Sequence, residues 1–95
     1  MLTDQEMFIQ VEEAIRTVLN TEEGEIKVDS LFRADLDTES IDFLDIGYEI
    51  EKRTGVELDF PEVLKFLNEK KGEEVLDITP GDLMDYIKHV KNGKE

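Results

Sequence analysis

The chain contains no cysteine and no tryptophan, and only one histidine and two prolines in 95 residues. Without cysteine there is no disulfide, no thiolate zinc site and no thiol nucleophile, so packing alone holds the fold and any thiol chemistry has to be imported. The one histidine, His89, stands among lysines near the C-terminal end of the last apolar-periodic segment, where a cation suits the helix dipole and the residue reads as part of the surface. No serine lies in a Gly-x-Ser-x-Gly elbow, and no phosphate-binding glycine loop is present. The parts of an active site are therefore lacking, and the chain reads as a non-enzyme.

Basic residues are also scarce: 11 Lys and Arg stand against 25 Asp and Glu, for a net charge of −14. Binding to nucleic acid or anionic lipid depends on Lys and Arg displacing counterions, so neither is expected, and basic protein partners are. No apolar run approaches the roughly 18 residues of a membrane span, and Met1-Leu2-Thr3-Asp4-Gln5-Glu6 has neither a basic n-region nor an apolar h-region. A cytoplasmic protein with no membrane span is the expectation.

What is present is enough to fold. Hydrophobic residues make up 39% of the chain, well above a disordered composition, and a chain of this length buries about 60–65% of its unfolded surface as one domain over residues 1–95. Thr3-x-x-Glu6 has the spacing of a capping box, and Met7, Phe8, Val11, Ala14, Ile15, Val18 and Leu19 follow at helical steps, predicting a first helix over Asp4 to Asn20. Residues 21–39 then form a long connection with scattered apolar residues Ile26, Val28, Leu31, Phe32 and Leu36, which are expected to pin it to the core. Connections of this length are uncommon in small domains and tend to be functional.

A second helix starts at Ser40, signalled by Ile41, Leu44, Tyr48 and Glu51 on one line with Phe43, Ile46, Gly47 and Ile50 beside it, and stops at Thr54-Gly55. A third opens at Asp59-Phe60-Pro61-Glu62, with Asp59 as cap and Glu62 in the capping-box position, and closes at Gly72. The fourth has Thr79 as cap and Pro80 as its first residue, and ends near Asn92-Gly93. With no period-two segment and no heptad seam, the reading is an all-α four-helix bundle with one long loop between helices one and two, and a monomer.

Ser40 is the chemically distinctive position. It reads first as an N-cap, one of the commonest roles of serine. A calcium loop is suggested by Asp35-x-Asp37-x-Glu39, but the sixth position is Ser40 where glycine is needed and the twelfth is Ile46 where glutamate is needed, so no metal is expected. A nucleophile needs a base within reach, and His89 is the only histidine.

The residues around Ser40 resemble the bacterial acyl carrier proteins, whose loop reads Phe-x-x-Asp-Leu-x-x-Asp-Ser-Leu-(Asp/Glu). Phe32, Asp35, Leu36, Ser40 and Asp42 fall in register, Ile41 replaces leucine, and the similarity resumes from Asp77-Ile78-Thr79 to Asp85-Tyr86-Ile87. The resemblance implies a four-helix carrier of acyl thioesters, with 4′-phosphopantetheine from coenzyme A attached to Ser40 by a phosphopantetheinyl transferase. A phosphodiester there would meet the free N–H groups and positive dipole end of helix two. Helix two is then the docking helix, and Glu39, Ile41, Asp42, Asp45, Glu49 and Glu51 face loading ligases or synthases and acyltransferases with basic surfaces.

The chain departs from the family at Glu39, which replaces the usual aspartate, at Lys52 and Arg53, which stand where acids are common, and at Thr54, which replaces a core phenylalanine. About a dozen extra residues between Leu58 and Ile78 are expected to fill the space left at Thr54. These departures suggest a specialised carrier for a lipid, lipopolysaccharide or polyketide-type pathway rather than housekeeping fatty-acid synthesis. An aminoacyl or peptidyl carrier, and an unmodified acidic interaction domain in which Ser40 is a plain cap, are the alternatives.

Overall fold

Local capping signals decide where the helices begin and end. The computed structural model describes residues 3–93, with α1 over Asp4–Leu19, α2 over Ser40–Thr54, α3 over Phe60–Lys71 and α4 over Pro80–Asn92, and no strand among the described residues. At the start of α1 the Glu6 N–H donates to Thr3 Oγ1 (3.1 Å) and the Thr3 N–H to the Glu6 carboxylate (2.9 Å), so the capping box forms as expected. The helix ends one residue earlier than expected, because Asn20 takes the left-handed conformation at φ 60°, which asparagine tolerates at a helix end. Gly55 and Gly72 do the same for α2 and α3, with φ 79° and 71°.

Two expected caps are corrected. Ser40 is not the N-cap of α2: Glu39 holds that position with an extended backbone, and its N–H donates to the Asp42 carboxylate (3.0 Å). Asp59 does cap α3, but its side chain makes no capping hydrogen bond, and Glu62 completes no box. Pro61 occupies the second helical position and has no N–H to offer. At α4 the box is complete: the Asp82 N–H donates to Thr79 Oγ1 (3.1 Å) and the Thr79 N–H to the Asp82 carboxylate (3.0 Å). Thr79→Ala is expected to lower stability by about 1 kcal/mol, read as a shift of the urea midpoint at unchanged m-value.

Helix α1 packs against α2 and α4, and α3 packs against α4. The core is built from the inner stripe of each helix: Val11, Ala14 and Ile15 from α1, Ile46 and Ile50 from α2, Val63 and Leu67 from α3, Leu83 and Ile87 from α4, all fully buried. Charge pairs tie the periphery. Arg53 reaches Glu13 at 2.8 Å across α1 and α2, while Lys70 to Asp85 (2.7 Å) and Lys71 to Asp82 (3.1 Å) fix α3 to α4. Phe66 of α3 packs edge-on against Tyr86 and lies 4.6 Å from the His89 ring, and His89 itself is exposed, as expected of a surface residue.

The long connection is ordered by two deep anchors rather than five. Ile26 and Phe32 are buried and Leu36 is half-buried, whereas Val28 and Leu31 are exposed. Backbone bonds replace the missing anchors: the Gly81 N–H donates to the Val28 carbonyl (2.9 Å) and the Phe32 N–H to the Ile78 carbonyl (2.9 Å). The extra α3 region likewise divides. Val63 and Leu67 are core, but Leu64 and Leu76 are exposed. Thr54 is buried and donates its hydroxyl to the Ile50 carbonyl (2.8 Å), and it borders an open cleft of about 870 Å³ beside Met7, Arg53 and Lys88. No helix among the described residues is long and apolar enough to cross a membrane.

Candidate functional site

Ser40 opens α2 as its first helical residue, at the junction with the long loop. Its side chain is exposed and its hydroxyl makes no hydrogen bond among the described residues. The hydroxyl is therefore not consumed in capping. A first helical turn also leaves N–H groups without intrahelical acceptors, and these with the dipole favour an anion at this point. The carboxylates that would oppose one are partly turned away: Asp35 accepts the Leu31 N–H (2.8 Å) and Asp42 accepts the Glu39 N–H. Thr38, two residues earlier, is buried and its hydroxyl has no partner, leaving an orphaned polar group at the same helix end. An exposed free serine hydroxyl on a helix N-terminus fits a phosphodiester-linked group.

The loop that presents Ser40 is clamped from 44 residues away. The Asp77 carboxylate accepts the N–H groups of Arg33 (3.0 Å), Ala34 (3.0 Å) and Ile78 (2.9 Å). Partial burial opposes ionisation of Asp77, but those three N–H donors and the Arg33 charge outweigh it and hold the carboxyl below the usual carboxylate range. Because the folded value is the lower one, this clamp stabilises fully above the unfolded-state value and is lost as the pH falls through the lowered one. Asp77→Asn is expected to cost about 1 kcal/mol near neutral pH, allowing for solvent screening. The difference in melting temperature from the native chain should shrink as the pH is lowered from about 5 to about 2; a difference that stays constant would mean the charge is not what holds the loop.

The expected docking residues fall into two groups. Glu39, Asp45 and Glu51 are exposed with no ion pair among the described residues, and Ile41 is 64% exposed. Glu49 is drawn back to Lys52 (3.2 Å) and Arg53 (3.9 Å), and the Asp42 carboxylate is held by the Glu39 N–H, so these two present less free charge. Leu44 and Tyr48, read from sequence only as part of the helix signal, are 69% and 63% exposed. With Ile41 they form an apolar line along the outside of α2, and Lys52 lies over the Tyr48 ring at 5.2 Å. Two apolar lines run along α2, and periodicity alone does not say which one faces inward. No group of three or more metal-ligating side chains occurs among the described residues.

Comparison with known proteins bears on the same residues. The family model described as "Phosphopantetheine attachment site" matches residues 10–68, from within α1, through the loop and Ser40, into α3. The chain is also similar to the acyl carrier protein of Petrotoga mobilis, with 33% identity over 64 residues that cover 67% of this chain and 75% of the relative.

Proposed function

Because the chain belongs to the acyl carrier protein family, whose members bear a covalent 4′-phosphopantetheine, we propose that Ser40 is its attachment residue and that residues 1–95 act as one carrier domain. The observation that carries this reading is the free, exposed Ser40 hydroxyl on the first turn of α2. The prosthetic group supplies the thiol that this cysteine-free chain lacks, and with it the capacity to hold acyl groups as thioesters. Ser40 provides the anchoring oxygen, and the α2 N-terminus provides N–H donors and a positive dipole end for the phosphodiester.

Partner recognition is assigned to the outer side of α2. Ile41, Leu44 and Tyr48 offer an apolar strip, and Glu39, Asp45 and Glu51 offer unpaired carboxylates beside it. Such a surface steers basic partners and then excludes water from the contact. The partners are a phosphopantetheinyl transferase, loading ligases or synthases, and acyltransferases; the chain positions cargo while they catalyse. The reading of acyl rather than aminoacyl or peptidyl cargo is supported by the name of the relative. A specialised pathway of lipid, lipopolysaccharide or polyketide type is supported by the departures at Thr54, Lys52 and Arg53 and by the twelve-residue α3.

Intact mass spectrometry of the full chain, after incubation with coenzyme A and a broad-specificity transferase, tests the assignment. A gain of one phosphopantetheine is expected. No gain with several transferases would overturn the carrier reading and leave the acidic interaction domain in its place.

A further inference from the structure

The long connection is seated on the short stretch of chain that leads into α4. The Gly81 N–H holds the Val28 carbonyl, the Ile78 carbonyl holds the Phe32 N–H, and the Asp77 carboxylate holds the N–H groups of Arg33 and Ala34. The seat itself is fixed: Asp77 lies two residues before the Thr79 cap of α4, Ile78 is buried, and the Val75 N–H donates to Asn68 Oδ1 of α3 (2.7 Å). It is also close-fitting, since a Cβ on Gly81 would lie 3.1 Å from the Val28 carbonyl oxygen.

The segment that runs up to Ser40 does not hold its shape by local preference. Asp37, three residues before Ser40, has φ 56°, a left-handed conformation that disfavours a residue with a Cβ and persists where the surroundings over-determine it. Hydrophobic contact supplies little of that constraint, because Phe32 is buried whereas Leu36 is half-buried and Leu31 exposed. Hydrogen bonds supply the rest. Phe32 is bonded on both sides, its N–H to the Ile78 carbonyl and its carbonyl to the Thr38 N–H (2.9 Å). The geometry imposed at Asp77 is thus carried through Phe32 to Thr38, two residues before Ser40.

We propose that Asp77 is a positioning residue for the modification of Ser40: its clamp on Arg33 and Ala34 keeps the loop in the conformation that a phosphopantetheinyl transferase binds. The inference rests on Ser40 as the attachment residue. Asp77 makes no hydrogen bond to Ser40 among the described residues and acts only through the loop. An enzyme that binds one loop conformation has its apparent affinity reduced by the fraction of chains outside it. Loss of the clamp therefore raises KM for the carrier and spares kcat, because the enzyme holds the loop once the complex has formed.

The test is steady-state transfer from coenzyme A to the full chain by a broad-specificity transferase, at a temperature where every variant is folded. Intact mass first establishes that the native chain gains one phosphopantetheine; without that gain the Ser40 reading itself fails, before any variant is compared. Asp77→Ala is expected to raise KM for the carrier about three- to fivefold, on the scale of hydrogen bonds partly screened by water. It should also speed amide exchange at Thr38, to which Asp77 makes no hydrogen bond, by a similar factor. The milder Asp77→Asn keeps one acceptor oxygen and should move both readouts in the same direction. Two further variants separate this role from its rivals. Thr3→Ala breaks the α1 capping box and lowers global stability, and Glu74→Gln removes an exposed carboxylate from the same connection and matches the change in charge. Neither should alter KM. A KM for Asp77→Ala within about twofold of native, unchanged exchange at Thr38, a loss carried by kcat, or an equal rise in either of these two variants would each overturn the proposal.

Discussion

Ser40→Ala is expected to abolish the gain of phosphopantetheine and all acyl loading, while the melting temperature moves by less than about 4 °C. The two halves of this result come from different observations. Loss of loading follows from the assignment of an exposed, unbonded hydroxyl at this helix end, where the other unbonded one, that of Thr38, is buried. Retention of stability follows from the position of Ser40 as the first helical residue rather than the cap: it is exposed and its hydroxyl is bonded to nothing among the described residues. Alanine is the best helix former, and exposed substitutions of this kind stay within about 0.5 kcal/mol, which for a domain of this size is a few degrees. A variant that still gains the mass would place the group on another residue. A variant that loses loading together with about 1 kcal/mol or more of stability would show that the hydroxyl has a capping role after all.

Phe32→Ala should have the largest effect on stability, a loss of about 3–5 kcal/mol measured by urea unfolding. Domains of this size are stable by only about 5–14 kcal/mol, so the change removes a large fraction of the total. Phe32 is fully buried, packs its ring on Phe43, and belongs to the segment whose backbone bonds to the α3–α4 connection through the Ile78 carbonyl. The Thr38 N–H, next to the site, donates to the Phe32 carbonyl (2.9 Å). Truncating the ring therefore leaves a cavity and also loosens the strap that presents Ser40. Transferase-catalysed loading should slow at temperatures where the variant is still folded. A loss below about 1 kcal/mol would mean that the loop is held by its backbone and Asp77 alone.

Some of these features are legible in the sequence. Thr3 with Glu6, Thr79 with Pro80, and the glycines at 55 and 72 mark helix ends through hydrogen bonds or backbone angles that span at most four residues. Ser40 stood out because a local pattern, Phe32 to Asp42, surrounds it. Where the reading failed, the deciding partner was either a close competitor or far away in the chain. Glu39 and Ser40 compete for one cap position, and the bond from the Glu39 N–H to Asp42 settles it. The Asp77 clamp has no signature in the sequence because two of the three N–H groups it holds are 43 and 44 residues distant.

The same division explains what each level of description decides. Composition and short-range pattern establish four helices, a thiol-free acidic chain and a serine at a helix start, because helix nucleation, capping and net charge depend on neighbours along the chain. Which apolar line of α2 turns outward, and whether Val28 and Leu31 are anchors, depend on which surfaces meet. Phe43 and Phe60 are 17 positions apart, and neither the ring contact between them nor the covering of Gly47 has any counterpart in periodicity. The ring cluster forms where side chains from three separate segments meet, and only the tertiary structure decides that.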